Sequence, residues 1–236
     1  MSQKKSGKSG KSGKASSSGT REIKVRVKTA KGRKISSKLW LERQLNDPFV
    51  SRAKREGYRS RAVYKLTEID DKFRFLKKGA VVVDLGAAPG SWSQVALERV
   101  MPGGKVIGID LQHIAPLPGA TFIEGDFLEN EPFEELMQLM EGKKANVVLS
   151  DMAAAACGHT QTDHLRIMSL CEAAADFAFS VLEKNGVFLA KVLRGGAERE
   201  LLDKLKQHFA SIKHIKPSAS RADSSEMYVL GQGFKG

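Results

Sequence analysis

Short continuous apolar runs alternate along this chain with segments whose apolar residues recur every three or four positions. The runs Val81-Val82-Val83, Val106-Ile107-Gly108-Ile109, Phe122-Ile123, Val147-Val148-Leu149 and Val187 to Leu193 read as strands. Without polar alternation, such runs suit parallel strands covered on both faces. Two further strands are expected at 212–215 and 227–230. Between them the period of 3.6 predicts helices over 92–100, 132–140, 162–182 and 198–208, punctuated by Pro102-Gly103-Gly104, Gly142 and Asn185-Gly186. Upstream, Leu39, Trp40, Leu41 and Leu45 predict a short helix closed by Asp47-Pro48. Strands alternating with helices in this way make a doubly wound α/β domain.

Ligands bind such sheets at the carboxyl ends of the strands, and the residues there are distinctive. The first strand runs into Asp84-Leu85-Gly86-Ala87-Ala88-Pro89-Gly90-Ser91-Trp92, where two glycines let a ligand approach the backbone and a proline fixes the bend. Ser91 and Gln94 form an S-x-x-Q capping box expected to start the next helix. Asp110, Asp126 and Asp151 end three later strands. One such aspartate is commonly a turn residue, but three at successive strand ends suggest a nucleoside pocket. Asp110 suits ribose hydroxyls and Asp126 an exocyclic amine. The spacing G-x-x-x-G lacks the G-x-G-x-x-G of a pyrophosphate cradle, which favours S-adenosylmethionine over NAD.

Lys191 is the anomaly among the apolar runs, an ammonium inside Ala190-Lys191-Val192. Burying that charge costs several kcal/mol unless it is paired. The residue is therefore either salt-bridged to a neighbour or kept for chemistry, and its place on the same rim as Asp151 favours chemistry.

Charge changes the picture at the front of the chain. The formal net charge is +12, yet residues 1–78 hold 24 Lys+Arg against 7 Asp+Glu, and residues 79–236 hold 15 against 20. A basic front end on an acidic body is what a polyanion-binding enzyme needs. Residues 1–35, opening with repeats of Lys-Ser-Gly, form a basic low-complexity tail with little to bury, expected to be disordered. The folded domain is expected over 36–236. Lys54, Arg55, Arg59 and Arg61 are expected to guide RNA phosphates to the site. No apolar run approaches the length needed to cross a bilayer, so no membrane partner is expected. Cys157 and Cys171 form no C-x-x-C, and His159 and His164 lack further ligands at metal spacing. Neither a metal nor a disulfide is expected, and a reducing cytoplasm fits.

The separated motifs Arg59-Ser60-Arg61-Ala62-Val63-Tyr64-Lys65-Leu66, Asp84 to Gly90, Ser150-Asp151-Met152-Ala153, Lys191-Val192 and Ser220-Arg221 with Glu226 closely resemble the FtsJ/RrmJ family. These are large-subunit ribosomal RNA methyltransferases of the E type, which methylate a uridine 2′-hydroxyl using S-adenosylmethionine. The resemblance spans about Ser36 to Gly233. It implies a mostly parallel seven-stranded, Rossmann-like methyltransferase sheet. It further implies a catalytic set of Lys65, Asp151, Lys191 and Glu226, with Lys191 taking or orienting the hydroxyl proton, and cofactor contacts at Gly90, Trp92, Asp110, Asp126 and Asp151. The implied partners are ribosomal RNA, at a uridine of the A loop, and the assembled large subunit, met by a monomer. Alternative readings are 2′-O-methylation of transfer RNA or of a messenger cap, and a non-catalytic RNA-binding assembly factor. Many relatives carry Gly in place of Ser91, and Met-Ala-Pro in place of Met152-Ala153-Ala154.

Overall fold

A computed structural model describes residues 35–153, 158–194 and 198–236. The basic tail up to residue 34 and Cys157 lie outside the described residues. Two compact units are distinguished, one ending at Asn46 and one running Asp47–Gly236. In the first, α1 spans Ile35–Leu45.

Asp47-Pro48 does not merely close a helix; it opens another. Asp47 Oδ1 accepts the Phe49 N–H at 3.0 Å and Pro48 takes the first helical position of α2 (Pro48–Glu56), a helix that the apolar pattern alone did not signal. Gly57, in the left-handed region at φ 79°, stops it. After α3 (Val63–Phe73) the chain alternates as expected: β1 (Val81–Leu85), α4 (Ser91–Val100), β2 (Lys105–Asp110), β3 (Ala120–Glu124), α5 (Asn130–Leu139), β4 (Ala145–Ser150), α6 (Thr160–Val181), β5 (Leu182–Leu193), α7 (Glu198–His208), β6 (Phe209–Ile215) and β7 (Glu226–Phe234).

The seven strands stand in the order β3-β2-β1-β4-β5-β7-β6. All are parallel except β7, which inserts antiparallel between β5 and β6. Alternate residues of the buried strands feed two cores. Val83, Leu85, Ile107, Val148, Phe188 and Val229 pack with α5, α6 and α7 on one face. On the other, Val82, Val106, Val147, Leu149, Leu189 and Tyr228 pack with α2, α3 and α4. This two-sided burial explains why the central strands read as unbroken apolar runs. It also places Lys191 toward the α3 and α4 side, because its antiparallel partner is Tyr228.

Candidate active site

The catalytic candidates come from four different parts of the chain and meet at one sheet rim. Lys65 lies in the first turn of α3, Asp151 immediately follows β4, Lys191 lies near the end of β5, and Glu226 opens β7. Lys191 Nζ donates to Asp151 twice, to Oδ1 at 2.9 Å and to the backbone carbonyl at 2.6 Å. Lys65 Nζ sits between the two carboxylates, 2.8 Å from Glu226 Oε1 and 3.9 Å from Asp151 Oδ2. Both lysines are buried, at 9% and 8% exposure. Their charges are tolerable there because each has a carboxylate in contact.

Two residues that the sequence reading did not assign to the catalytic set complete the network. Tyr228 donates its hydroxyl to Asp151 Oδ1 at 2.8 Å and lies 3.3 Å from Glu226 Oε1. Ser220 donates to Glu226 Oε1 at 2.9 Å. Tyr228 was legible in principle, since residues two apart on a strand share a face and Glu226 was already singled out. Burial would raise the Asp151 carboxyl, but the ammonium groups of Lys191 and Lys65 and hydrogen bonds from Lys191 and Tyr228 outweigh it and hold that carboxyl below its usual value. Burial, then the charges of Asp151 and Glu226, push the Tyr228 phenol well above its ordinary range. It therefore remains a donor.

The glycine turn adjoins this cluster. Gly86 and Gly90 have φ of 71° and 97°, conformations that side chains rarely adopt. A Cβ on Gly86 would lie 2.5 Å from Met152 Cγ, so the turn and the loop after β4 are in close contact. The Ala88 N–H donates to Asp110 Oδ2 at 2.9 Å, bracing the turn against the end of β2. Asp110 Oδ1 accepts from Gln112 N–H, and Asp126 Oδ1 from Leu128 N–H, so both aspartates also serve as turn residues. Each carboxylate retains acceptor capacity, because an oxygen has two lone-pair sites and Asp126 has its second oxygen besides. The Gly125 N–H donates to the Asp110 carbonyl at 2.9 Å, which sets Asp126 beside Asp110. The group therefore fits an adenosyl ligand: a bare turn and two carboxylates suited to hydroxyls and an amine.

Three expectations change. The capping box does not form: Gly90 is the N-cap of α4, with no side-chain cap. The left-handed Gly90 places Ser91 inside the helix, where its hydroxyl donates to Ser60 Oγ at 2.7 Å, while Gln94 Oε1 accepts the Arg59 N–H at 2.9 Å. Trp92 is 3% exposed, donates Nε1–H to the Ala62 carbonyl and packs against Tyr228 at 5.6 Å. Its ring ties α4 to α3, so any ligand contact at this residue falls to its backbone.

Arg59 and Arg61, finally, are occupied within the protein. Arg59 donates to the carbonyls of Pro89 and Pro116 at 2.9 and 2.8 Å, joining the glycine turn to the loop after β2. Arg61 pairs with Asp47 at 3.1 Å and also donates to the Ala219 carbonyl. Because this pair is largely buried, Arg61→Ala is expected to cost about 3 kcal/mol of stability in chemical unfolding while leaving the salt dependence of RNA binding unchanged. Unaltered stability with a flattened salt dependence would instead make Arg61 a phosphate contact.

Comparison with known proteins agrees with this fold. A family model described as FtsJ-like methyltransferase matches residues 58–234. The ribosomal RNA large subunit methyltransferase E of Parvibaculum lavamentivorans is 60% identical over 228 residues, covering 92% of this chain and 89% of the relative. Its counterpart in Ruegeria sp. strain TM1040 is 54% identical over 244 residues, covering 100% of both chains. A crystal structure from Plasmodium falciparum, of a protein assigned as a ribosomal RNA methyltransferase, superposes with a TM-score of 0.70 at 33% identity, covering 76% of this chain and 100% of that one. With the sheet, the glycine turn and the relatives in agreement, the chain belongs to the FtsJ-like methyltransferases.

Proposed function

We propose that this methyltransferase transfers a methyl group from S-adenosylmethionine to the ribose 2′-hydroxyl of a uridine in large-subunit ribosomal RNA, in the A loop of the assembled subunit. The observation that carries the reading is the convergence of Lys65, Asp151, Lys191 and Glu226 beside the glycine turn. The names of the relatives support the substrate class.

The chemistry requires such a cluster. The sulfonium donor supplies an activated methyl group, whereas a ribose hydroxyl is a poor nucleophile until it is oriented and relieved of its proton. A neutral lysine amine has two N–H donors and one lone pair. Lys191, an ammonium where it pairs with Asp151, therefore gives up one proton to solvent before the transfer; its two remaining N–H donors keep the Asp151 carbonyl and carboxylate oxygens, and the lone pair so freed receives the hydroxyl proton. Asp151 then stabilises the ammonium so formed, as a fixed anion in a site shielded from water. Lys65, clamped by Glu226, supplies a second positive centre to hold a substrate oxygen. Gly90, Asp110 and Asp126 would hold the donor through the turn backbone and the two carboxylates, with the Trp92 backbone beside them.

Large subunits from cells lacking the protein, incubated with the purified enzyme and labelled S-adenosylmethionine, are expected to gain one 2′-O-methyl group at a uridine. Methylation of transfer RNA or capped messenger instead would replace this substrate, and no transfer to any RNA would leave the assembly-factor reading standing.

A further inference from the structure

Arg59 and Arg61 are occupied internally, while Lys54 and Arg55 stay exposed on α2, and further exposed cations lie elsewhere on the folded body. A groove of about 480 Å³ opens between the second half of α3 and the edge strand β6, lined by Glu68, Lys72, Phe73, Lys213, His214 and Lys216. Lys72 and Lys213 are exposed, and among the described residues neither forms an ion pair with a carboxylate. The groove's only acid, Glu68, is already engaged, accepting the N–H and hydroxyl of Ser218 at 2.6–2.9 Å. Asp71, next to Lys72 in the chain, is paired with Arg99 at 2.7 Å. The groove thus carries a net positive charge, with Lys72, Lys213 and Lys216 against the single carboxylate of Glu68.

The groove and the catalytic cluster share two elements of the fold. Lys72 lies two turns along the helix from Lys65, about 10 Å at 1.5 Å per residue. On the opposite wall, Ile215 of β6 pairs with Tyr228, and the connection to β7 carries Ser218 beside the groove and Ser220 on Glu226. Past the end of α3 lies a second hollow of about 360 Å³, lined in part by Arg74, Lys77 and Lys78 and by one acid, Glu183. Nucleotides adjoining one held at Lys65 would run over this strip.

We infer that the α3–β6 groove is a docking track for the phosphate backbone of the RNA substrate, with Lys72 and Lys213 as its principal contacts. The inference rests on the RNA-methyltransferase reading above and adds where the chain flanking the modified nucleotide lies. Phosphate, rather than base, is indicated by Phe73: Lys213 Nζ stands 4.9 Å and Lys72 Nζ 5.4 Å from its ring centroid. The ring is used to hold two ammonium groups instead of offering itself to a base, and flexible lysines act as point charges on phosphate. The track therefore contributes affinity irrespective of sequence.

The test is a double substitution, Lys72→Gln with Lys213→Gln, which keeps the aliphatic stems over Phe73. Binding of a labelled single-stranded fragment of large-subunit RNA is followed by fluorescence anisotropy across a salt series. Loss of two phosphate contacts is expected to reduce the slope of log K against log salt by about 1.4, about 0.7 per contact on a single strand. The KM for RNA should rise, affinity for S-adenosylmethionine and melting temperature should match wild type, and Lys72→Arg with Lys213→Arg should restore the slope. If the double variant melts early, Lys213→Gln alone should give half the change. A slope and KM equal to wild type would overturn the inference. So would normal binding to naked RNA with loss confined to whole subunits, which would assign the groove to a ribosomal protein. Wild-type enzyme that methylates no large-subunit RNA would fail the substrate reading separately, before either variant is compared.

Discussion

Lys191→Ala is expected to lower methyl transfer by about 10²- to 10⁴-fold, the range contributed by a positioned proton acceptor, while S-adenosylmethionine still binds with near wild-type affinity. The reason is geometric. Lys191 is anchored by two oxygens of Asp151, so the amine cannot swing away, and Lys65 cannot replace it because Glu226 holds that ammonium at 2.8 Å. The variant leaves Asp151 with Lys65 at 3.9 Å and the Tyr228 hydroxyl at 2.8 Å, partners enough for the fold to survive. Lys191→Arg separates the two roles of the side chain: guanidinium keeps the charge and the donors but cannot give up its proton. Near-complete loss in the arginine variant identifies Lys191 as the base, whereas retained turnover identifies it as an orienting group. Wild-type incorporation of labelled methyl by the alanine variant would remove Lys191 from catalysis altogether.

The second large effect is on stability and comes from Asp84, next to the last residue of β1. It is 1% exposed; Oδ2 accepts the Ser93 hydroxyl at 2.7 Å, and Oδ1 has no hydrogen-bond partner among the described residues. Burial, aided by repulsion from Asp151 and Asp110 and opposed by Ser93, pushes its carboxyl up to about 7. The folded protein thus keeps this proton over a range where the unfolded chain has lost it. Where the native state binds more protons, stability falls as pH rises. The contribution is greatest near pH 4 and is lost by about pH 7, on the order of 4 kcal/mol in all. Asp84→Asn cannot ionise, so its unfolding free energy relative to wild type should climb between those limits and level off above them, as measured by urea titration at a series of pH values. Any constant offset from the amide drops out of the comparison. Parallel curves for the two proteins would mean that Asp84 is ionised throughout.

Much of the sheet was legible because burial on both faces leaves no ambiguity in runs such as Val81-Val82-Val83 or Val147-Val148-Leu149, whose ends carry Asp84 and Asp151. Lys191 stood out for the same reason, as a charge where the pattern demands none. Strand order was not legible: period and spacing cannot say that β7 inserts between β5 and β6, yet that insertion brings Glu226 and Tyr228 to Lys191. The helix of Lys65 was hidden because its apolar residues Val63, Leu66 and Ile69 follow a stretch dense in arginine, which drew the reading toward phosphate contacts. Arg59 and Arg61 are bonded within the protein, since Asp47 and backbone carbonyls of distant loops, which no local pattern reveals, are there to receive them. Ser91 and Gln94 misled in the same way: their spacing is that of a cap, but the cap is backbone glycine.

The pairing of β5 with β7 also constrains how this protein can vary. Lys191 faces Tyr228 and Leu193 faces Glu226 across the ladder, so the proton-handling groups are spaced by peptide geometry rather than by loop conformation. A slip of one residue would turn Met227 and Val229 toward the rim and send Tyr228 into the opposite core. There is no half-working intermediate between these alignments. Lengthening or shortening the turn that leads into β7 leaves the alignment intact, whereas inserting a single residue within either strand abolishes it. Natural drift in this family should therefore accumulate in the connecting segments and spare the count of residues along both strands.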